Sequence, residues 1–390
     1  MTTADAAGDK PPQKRMRMTA LASQALKCHG LEHLPDGKRI FNEVHNAPIA
    51  LLHDVARALS CSQQPLLKIK KSKAGLCNLD LTELGSKVAM LLDNPWKAIA
   101  TTYRHYKLSP QFALFNRIWR HIPAGGLKAL VMRNIPLALA REIVSRVDRM
   151  TNYVRSCLTK QATRNAINNF CRGPRDNFGG LMNGLDWIAQ RERFVWSIRI
   201  DLYWDDQSRV PLTSGDQLPL ALANAFLDAR YKFQQHVKRM FGEALLGFAW
   251  AFEYGEWSHF HTHCWILLKR SAIEDDLLLV EQLGAFWKRL SGGEGRGFHS
   301  SNSSKSAFRY LAVGLIDLHD ESVINGVRAI AIYFTAAGLF VKLNLGGRKA
   351  FGKPHFPTEP IKKPGRKPKV EAPVLRIPMH LGRDAFANWI

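Results

Sequence analysis

The chain has little cysteine for its length: six in 390 residues (Cys28, Cys61, Cys77, Cys157, Cys171 and Cys264), with no CxxC pair and no dense spacing. That pattern indicates neither a zinc ribbon nor a disulfide framework, and a reducing cytosol suits it best. No apolar run approaches the roughly 20 residues that a membrane span needs. The N-terminus also lacks the basic, apolar, small-residue order of a signal peptide, so a soluble intracellular protein is expected. Acidic residues are scarce as well, 33 against 55 Lys and Arg, leaving a formal charge of +22. Such an imbalance favours a polyanionic partner such as nucleic acid, although charge alone also fits a ribosomal or membrane-surface role. A hydrophobic fraction of 46% with 10% aromatic residues excludes a disordered basic tail. The length allows two or three domains around a sizeable core.

The stretch His259-Phe260-His261-Thr262-His263 carries the chemistry. Alternate residues of a strand point to one face, so the three imidazoles converge if the segment is extended. The apolar run Cys264 to Leu268 that follows, ending at Lys269-Arg270, supports a buried strand. Leu246 to Tyr254 reads as a second strand, and Gly255 to Ser258 turns the pair into a hairpin. Glu253, near the turn, is then placed to join two imidazoles around one divalent cation. Three polar residues on a solvated strand face would give the same spacing, and spacing alone leaves both readings open.

Elsewhere the pattern divides the chain. Residues 1–20, with Lys10, Lys14, Arg15 and Arg17, read as a disordered basic arm. Residues 21–185 read as a helical N-terminal region without strands, containing Ile49 to Leu59, Leu81 to Leu92, Pro110 to Trp119, Leu137 to Val154 and Gln161 to Phe170. Arg141, Arg146, Arg149, Arg155, Lys160 and Arg164 stud its last helices, as a DNA-following face or as a solvated one. Lys68, Lys70, Lys71 and Lys73 form a further cluster. Gly173-Pro174 and Gly179-Gly180 supply turn chemistry and place a boundary nearby. In the following domain, 186–352, Phe194 to Tyr203 alternates as a strand with Arg199 and Asp201 off its apolar face. Leu220 to Phe241 and Asp276 to Leu290 have helical spacing, Phe308 to Leu318 reads as a strand, and Val323 to Leu343 reads as a helix. The glycine-rich Ser291 to Gly297 is a flexible connection with Arg296 as a candidate phosphate contact. The tail 353–390 is rich in Pro and Lys, and Lys362 to Lys369 is similar to an AT-hook, making Arg366, Lys367 and Lys369 candidate minor-groove contacts.

Taken in order, the Asp201 strand, Glu253-Tyr-Gly, His261-Thr-His263, Phe286-Trp287, Gly295-Arg-Gly297, the Tyr333 helix and Gly347-Arg-Lys-Ala-Phe-Gly352 resemble one family. It is the inovirus-type gene II replication initiators, with prophage relatives carrying a YagK/YfjJ-type C-terminal domain, within the HUH endonuclease superfamily. The resemblance covers about residues 190–352 and implies an α+β fold: a helical N-terminal region followed by an HUH-type domain whose central antiparallel sheet is flanked by helices. It implies a rolling-circle replication initiator, a site-specific endonuclease that nicks and rejoins single-stranded origin DNA through a 5′-phosphotyrosine. Tyr333 would be the nucleophile, and His261, His263 and Glu253 would hold Mg or Mn. Its place would be the cytoplasm of a bacterial host, with DNA and the host replication helicase or polymerase as partners. Phe260 fits the superfamily's large apolar middle residue better than Thr262 does, which keeps His259 as an alternative ligand. Relatives tend to carry Lys three residues after the tyrosine, whereas this chain has Ala336 there. Lys342 and Arg348 remain as further candidate site cations. A catalytically weakened DNA-binding regulator on the same fold is the alternative that the missing lysine allows, and a zinc hydrolase acting on a small molecule is a third.

Overall fold

The computed structural model describes residues 31–33, 39–41, 43–72, 75–94, 96, 99–100, 103–119, 126–204, 220–255, 259–291, 297–303 and 312–354. The basic arm 1–20, Arg296, the 308–311 part of the expected Phe308 to Leu318 strand, and Arg366, Lys367 and Lys369 lie outside the described residues.

The fold is α+β with antiparallel sheets. In chain order it runs β1 (Leu31–His33), β2 (Arg39–Phe41), α1 (Glu43–Cys61), β3 (Leu67–Lys71), β4 (Leu76–Leu81), α2 (Glu83–Leu92), β5 (Tyr106–Leu108), α3 (Pro110–Trp119), β6 (Met132–Pro136), α4 (Leu137–Thr159) and α5 (Gln161–Ala189). There follow β7 (Phe194–Tyr203), α6 (Leu220–Phe241), β8 (Leu245–Gly255), β9 (His259–Lys269), α7 (Asp276–Leu290), β10 (Phe298–Ser300), β11 (Gly314–Asp317), α8 (Glu321–Ala336), β12 (Val341–Leu343) and β13 (Phe351–Gly352). The main sheet has the order β10-β7-β9-β8-β13, with β11 also paired to β7.

The period-two pattern of the central strands separates two cores. Ile198, Ile200 and Leu202 of β7, with Phe260, Cys264, Ile266 and Leu268 of β9, face α6 and α7, where Phe226, Phe233, Leu283 and Trp287 are buried. Trp265 and Leu267 of β9 point the other way and join the core formed by α8, α5 and the N-terminal region. The buried indole of Trp265 donates to Ser197 Oγ at 2.9 Å, and Ser197 donates in turn to the Ala312 carbonyl at 2.6 Å. The buried indole N–H of Trp265 and hydroxyl of Ser197 are thereby satisfied. α7 and α8 begin where Asp275 and Asp320 accept backbone N–H bonds as N-caps. Gly284 lets β10 approach α7, since a Cβ there would lie 2.1 Å from the Phe298 ring.

Several expectations need correction. The N-terminal region is not purely helical: β3, β4 and β6 form a three-stranded sheet, and β5 pairs with β12. Lys68, Lys70 and Lys71 of the lysine cluster belong to β3, where Leu67 is buried, the three lysines are exposed and Lys70 pairs with Asp80 at 3.0 Å, while Lys73 lies outside the described residues. Gly173-Pro174 and Gly179-Gly180 are not turns, because α5 runs through them. The expected helix Val323 to Leu343 ends at Ala336, and Val341–Leu343 is a strand. Among the described residues one segment, Glu321–Leu339, is long and apolar enough to cross a membrane, and most of it is buried inside the protein. Its apolarity is that of a core helix.

Candidate metal centre

Three strands deliver the centre. In register, His263 of β9 faces Asp201 of β7, and His261 faces Tyr203 on one side and Glu253 of β8 on the other. Because register partners in a sheet share a face, the side chains of Glu253, His261, His263 and Asp201 emerge together on the face turned towards α8. Glu253 Oε2 lies 3.7 Å from His263 Nε2 and 3.9 Å from His261 Nε2. One donor atom from each of the three lies within 4.8 Å of the others. A divalent cation held at about 2.1 Å from imidazole nitrogen and carboxylate oxygen fits donors spaced this way. Two imidazoles and a carboxylate form the donor set such a cation takes.

The surroundings fit as well. Asp201 Oδ1 is 2.7 Å from His263 Nδ1, which directs Nε2 into the centre, the arrangement by which carboxylates orient metal-ligating histidines. Tyr203 stacks on His261 with ring centroids 5.7 Å apart. His261, His263 and Asp201 are all buried, while Glu253 is partly exposed and marks the open side.

Charge is balanced inside this pocket. Burial alone would lower the His263 pKa, but the Asp201 charge and hydrogen bond, with Glu253, raise it to about 9. Burial would raise that of Asp201, and His263 and Arg199 instead hold it well below the carboxylate range. Arg199 Nη2 stands 3.6 Å from Asp201 Oδ2. Its backbone is fixed by Asn302, which accepts from Arg199 N–H at 2.9 Å, and by Ser300, which donates to the Arg199 carbonyl at 2.8 Å.

α8 lays Tyr333 against this group. The phenol oxygen is 3.4 Å from His263 Nε2, and the Arg199 guanidinium carbon sits 4.5 Å from the centre of the phenol ring. Burial pushes the Tyr333 pKa well above its ordinary value, and the Arg199 charge opposes that rise. Glu253, His261, His263 and Tyr333 are thus brought together as a site. Asp201 and Arg199, absent from the candidate ligands and nucleophile, complete it. Their sequence signal was two charged residues at alternate positions on an otherwise apolar strand.

The other candidates lie apart. His259 begins β9, in register with Gly255 at the hairpin end. Lys342 is on β12, and its ammonium binds the Phe170 carbonyl and lies 4.4 Å from the Phe170 ring centre. Arg348 binds Asp228 and Asn224 of α6, which packs on the opposite face of the sheet. Comparison with family models, with curated proteins and with solved structures gives no match.

Proposed function

We propose that the protein is a metal-dependent nickase and strand transferase of single-stranded DNA with Tyr333 as nucleophile. The reading is supported by the 3.4 Å separation between the phenol oxygen and His263 Nε2 of the candidate metal ligands. The chain's resemblance to the gene II initiators, whose HUH domain is built on a central antiparallel sheet, and its charge of +22 point the same way.

A bound divalent cation would polarise the scissile phosphate and offset the charge building on its oxygens. Glu253, His261 and His263 would hold it, with Asp201 keeping His263 in the ligating tautomer. Tyr333 loses its proton to water and its oxygen attacks phosphorus. The bond from phosphorus to the 3′ oxygen breaks, and that oxygen leaves, taking a proton from water. The products are a 5′-phosphotyrosine and a free 3′-OH that can prime synthesis. The phosphotyrosyl bond conserves the energy of the broken diester, so attack by the 3′-OH rejoins the strand. Arg199, beside the ring, supplies the cation that Ala336 does not, and it favours the phenolate. In a bacterial host cytoplasm this chemistry serves rolling-circle replication, with the helicase and polymerase of the host acting on the exposed 3′ end.

The test is incubation of the protein with Mn²⁺ and labelled single-stranded origin DNA, resolved on a denaturing gel. A covalent adduct that is lost in Tyr333→Phe, and reversed by added 3′-OH strand, is the expected result. Binding without adduct at any metal would favour the second reading, a regulator on the same fold, to which the deep burial of Tyr333 lends support.

A further inference from the structure

α4 and α5 meet at a single residue, Lys160, and carry an unusual distribution of charge. Between Asp148 and Asp176 the chain has six basic residues, Arg149, Arg155, Lys160, Arg164, Arg172 and Arg175, and no acidic one. Arg155 is buried and holds the Gln64 carbonyl. Arg149, Lys160, Arg164 and Arg172 are exposed, and no ion pair among the described residues involves them. Solvated helix faces ordinarily mix both signs, so an acid-free run of this length calls for an anionic partner.

The start of α5 gives that partner a shape. From Gln161 to Asn169 no residue is buried, only Thr163 and Ile167 are half-covered, and the first buried position is Phe170. Nine residues of helix, about 13 Å long, therefore lie on the protein by the Thr163–Ile167 edge alone, where Ile167 packs against the core, and leave the other faces open. Two adjacent rows at helical spacing face outwards, Gln161-Asn165-Asn169 and Arg164-Asn168-Arg172. Asparagine is a poor helix former, so helix propensity does not account for three of them here. Asn and Gln pair in bidentate fashion with adenine, and Arg with guanine, at major-groove edges. The groove is about 12 Å wide and admits one helix.

We propose that the first half of α5 is a recognition helix that enters the major groove of duplex DNA, with Arg149 and Lys160 on the flanking phosphates. The surface is separate from the metal centre and needs neither the cation nor Tyr333. Because it takes DNA as the partner, it extends the nicking reading by supplying a duplex anchor beside the strand to be cut.

The experiment is fluorescence anisotropy in EDTA, using duplexes selected by the full-length protein from a random pool and scrambled duplexes of equal length. Wild type and Tyr333→Phe should bind alike and prefer the selected duplex. Asn165→Ala/Asn168→Ala/Asn169→Ala, which favours the helix and whose folding circular dichroism checks, should lose at least about tenfold of that preference. Arg149→Gln/Lys160→Gln should bind both duplexes more weakly, the slope of log K against log salt falling by about 0.9 for each phosphate that the variant no longer neutralises. Unchanged preference in the folded Asn variant, or unchanged salt slope in the charge variant, would overturn the assignment, as would stronger binding of an acidic peptide than of any duplex. Adduct formation on a short single strand should persist in both variants. Its loss in wild type would sink the nicking reading and leave this one standing.

Discussion

Asp201 Oδ1 and His263 Nδ1 are 2.7 Å apart across two neighbouring strands, although 62 residues separate them in the chain. That pairing selects which imidazole nitrogen faces Glu253. Asp201→Asn keeps the shape but loses the charge that favours a ligating His263, so affinity for Mn²⁺ should fall about 10- to 100-fold. Calorimetric titration of the apo protein measures this without reference to catalysis.

Metal binding should also be visible as stability. A cation that binds only the native state at 100 times its dissociation constant adds about 2.7 kcal/mol. Mn²⁺ should therefore raise the thermal midpoint of the wild type, and chelation should lower it again. In His261→Ala or Glu253→Ala the rise should shrink or vanish, while Lys342→Met, far from the centre, should keep it.

Lys342 has a different role, which its own contacts explain. Pro174 lies inside α5 and has no N–H to give the carbonyl four residues back, that of Phe170. The Lys342 ammonium binds that carbonyl instead. Lys342→Met leaves a helix carbonyl without a donor and should cost about 1–3 kcal/mol in urea unfolding, with nicking by the surviving folded protein unchanged.

His53 predicts a pH dependence. It is buried, its Nε2 is 2.9 Å from Ser109 Oγ, and its ring packs edge-on to Phe340 with centroids 4.6 Å apart. Burial pushes its pKa down from 6.5 to about 3. Below 6.5 the unfolded chain takes up a proton that the native state refuses until about pH 3. The stability is thus fully present above 6.5 and falls by about 1.4 kcal/mol per pH unit towards 3. Urea midpoints of wild type should drop between pH 6.5 and 5 more steeply than those of His53→Gln.

The sheet was legible because alternate apolar residues of β7, β8 and β9 go to one core, and Ile198, Ile200 and Leu202 of the run Phe194, Trp196, Ile198, Ile200 and Leu202 are buried there. Phe194–Tyr203, Leu220–Phe241 and Asp276–Leu290 have the bounds expected of them. The histidine strand was legible for the same reason, and with it the triad. What escaped depends on contacts between distant segments. β12 is three residues long and is a strand only because it pairs with β5, so Val341-Lys-Leu343 carries no period of its own. β3 hid its alternation behind three lysines. Pro174 and the glycines of α5 read as punctuation, yet Pro174 is buried against Gly338 and Lys342 supplies the missing bond, so packing overrides local preference. The Asp201 pairing to His263 needed the register of non-consecutive strands, which no local pattern contains.

The most direct measurement is mass spectrometry of the peptide that remains linked to DNA after Mn²⁺-dependent reaction and proteolysis. A nucleotide-bearing phosphotyrosine at Tyr333 is expected, present in the wild type and absent in both Tyr333→Phe and the chelated sample. Linkage through any other residue, or no linkage while Mn²⁺ and DNA both bind, would contradict a Tyr333 nucleophile.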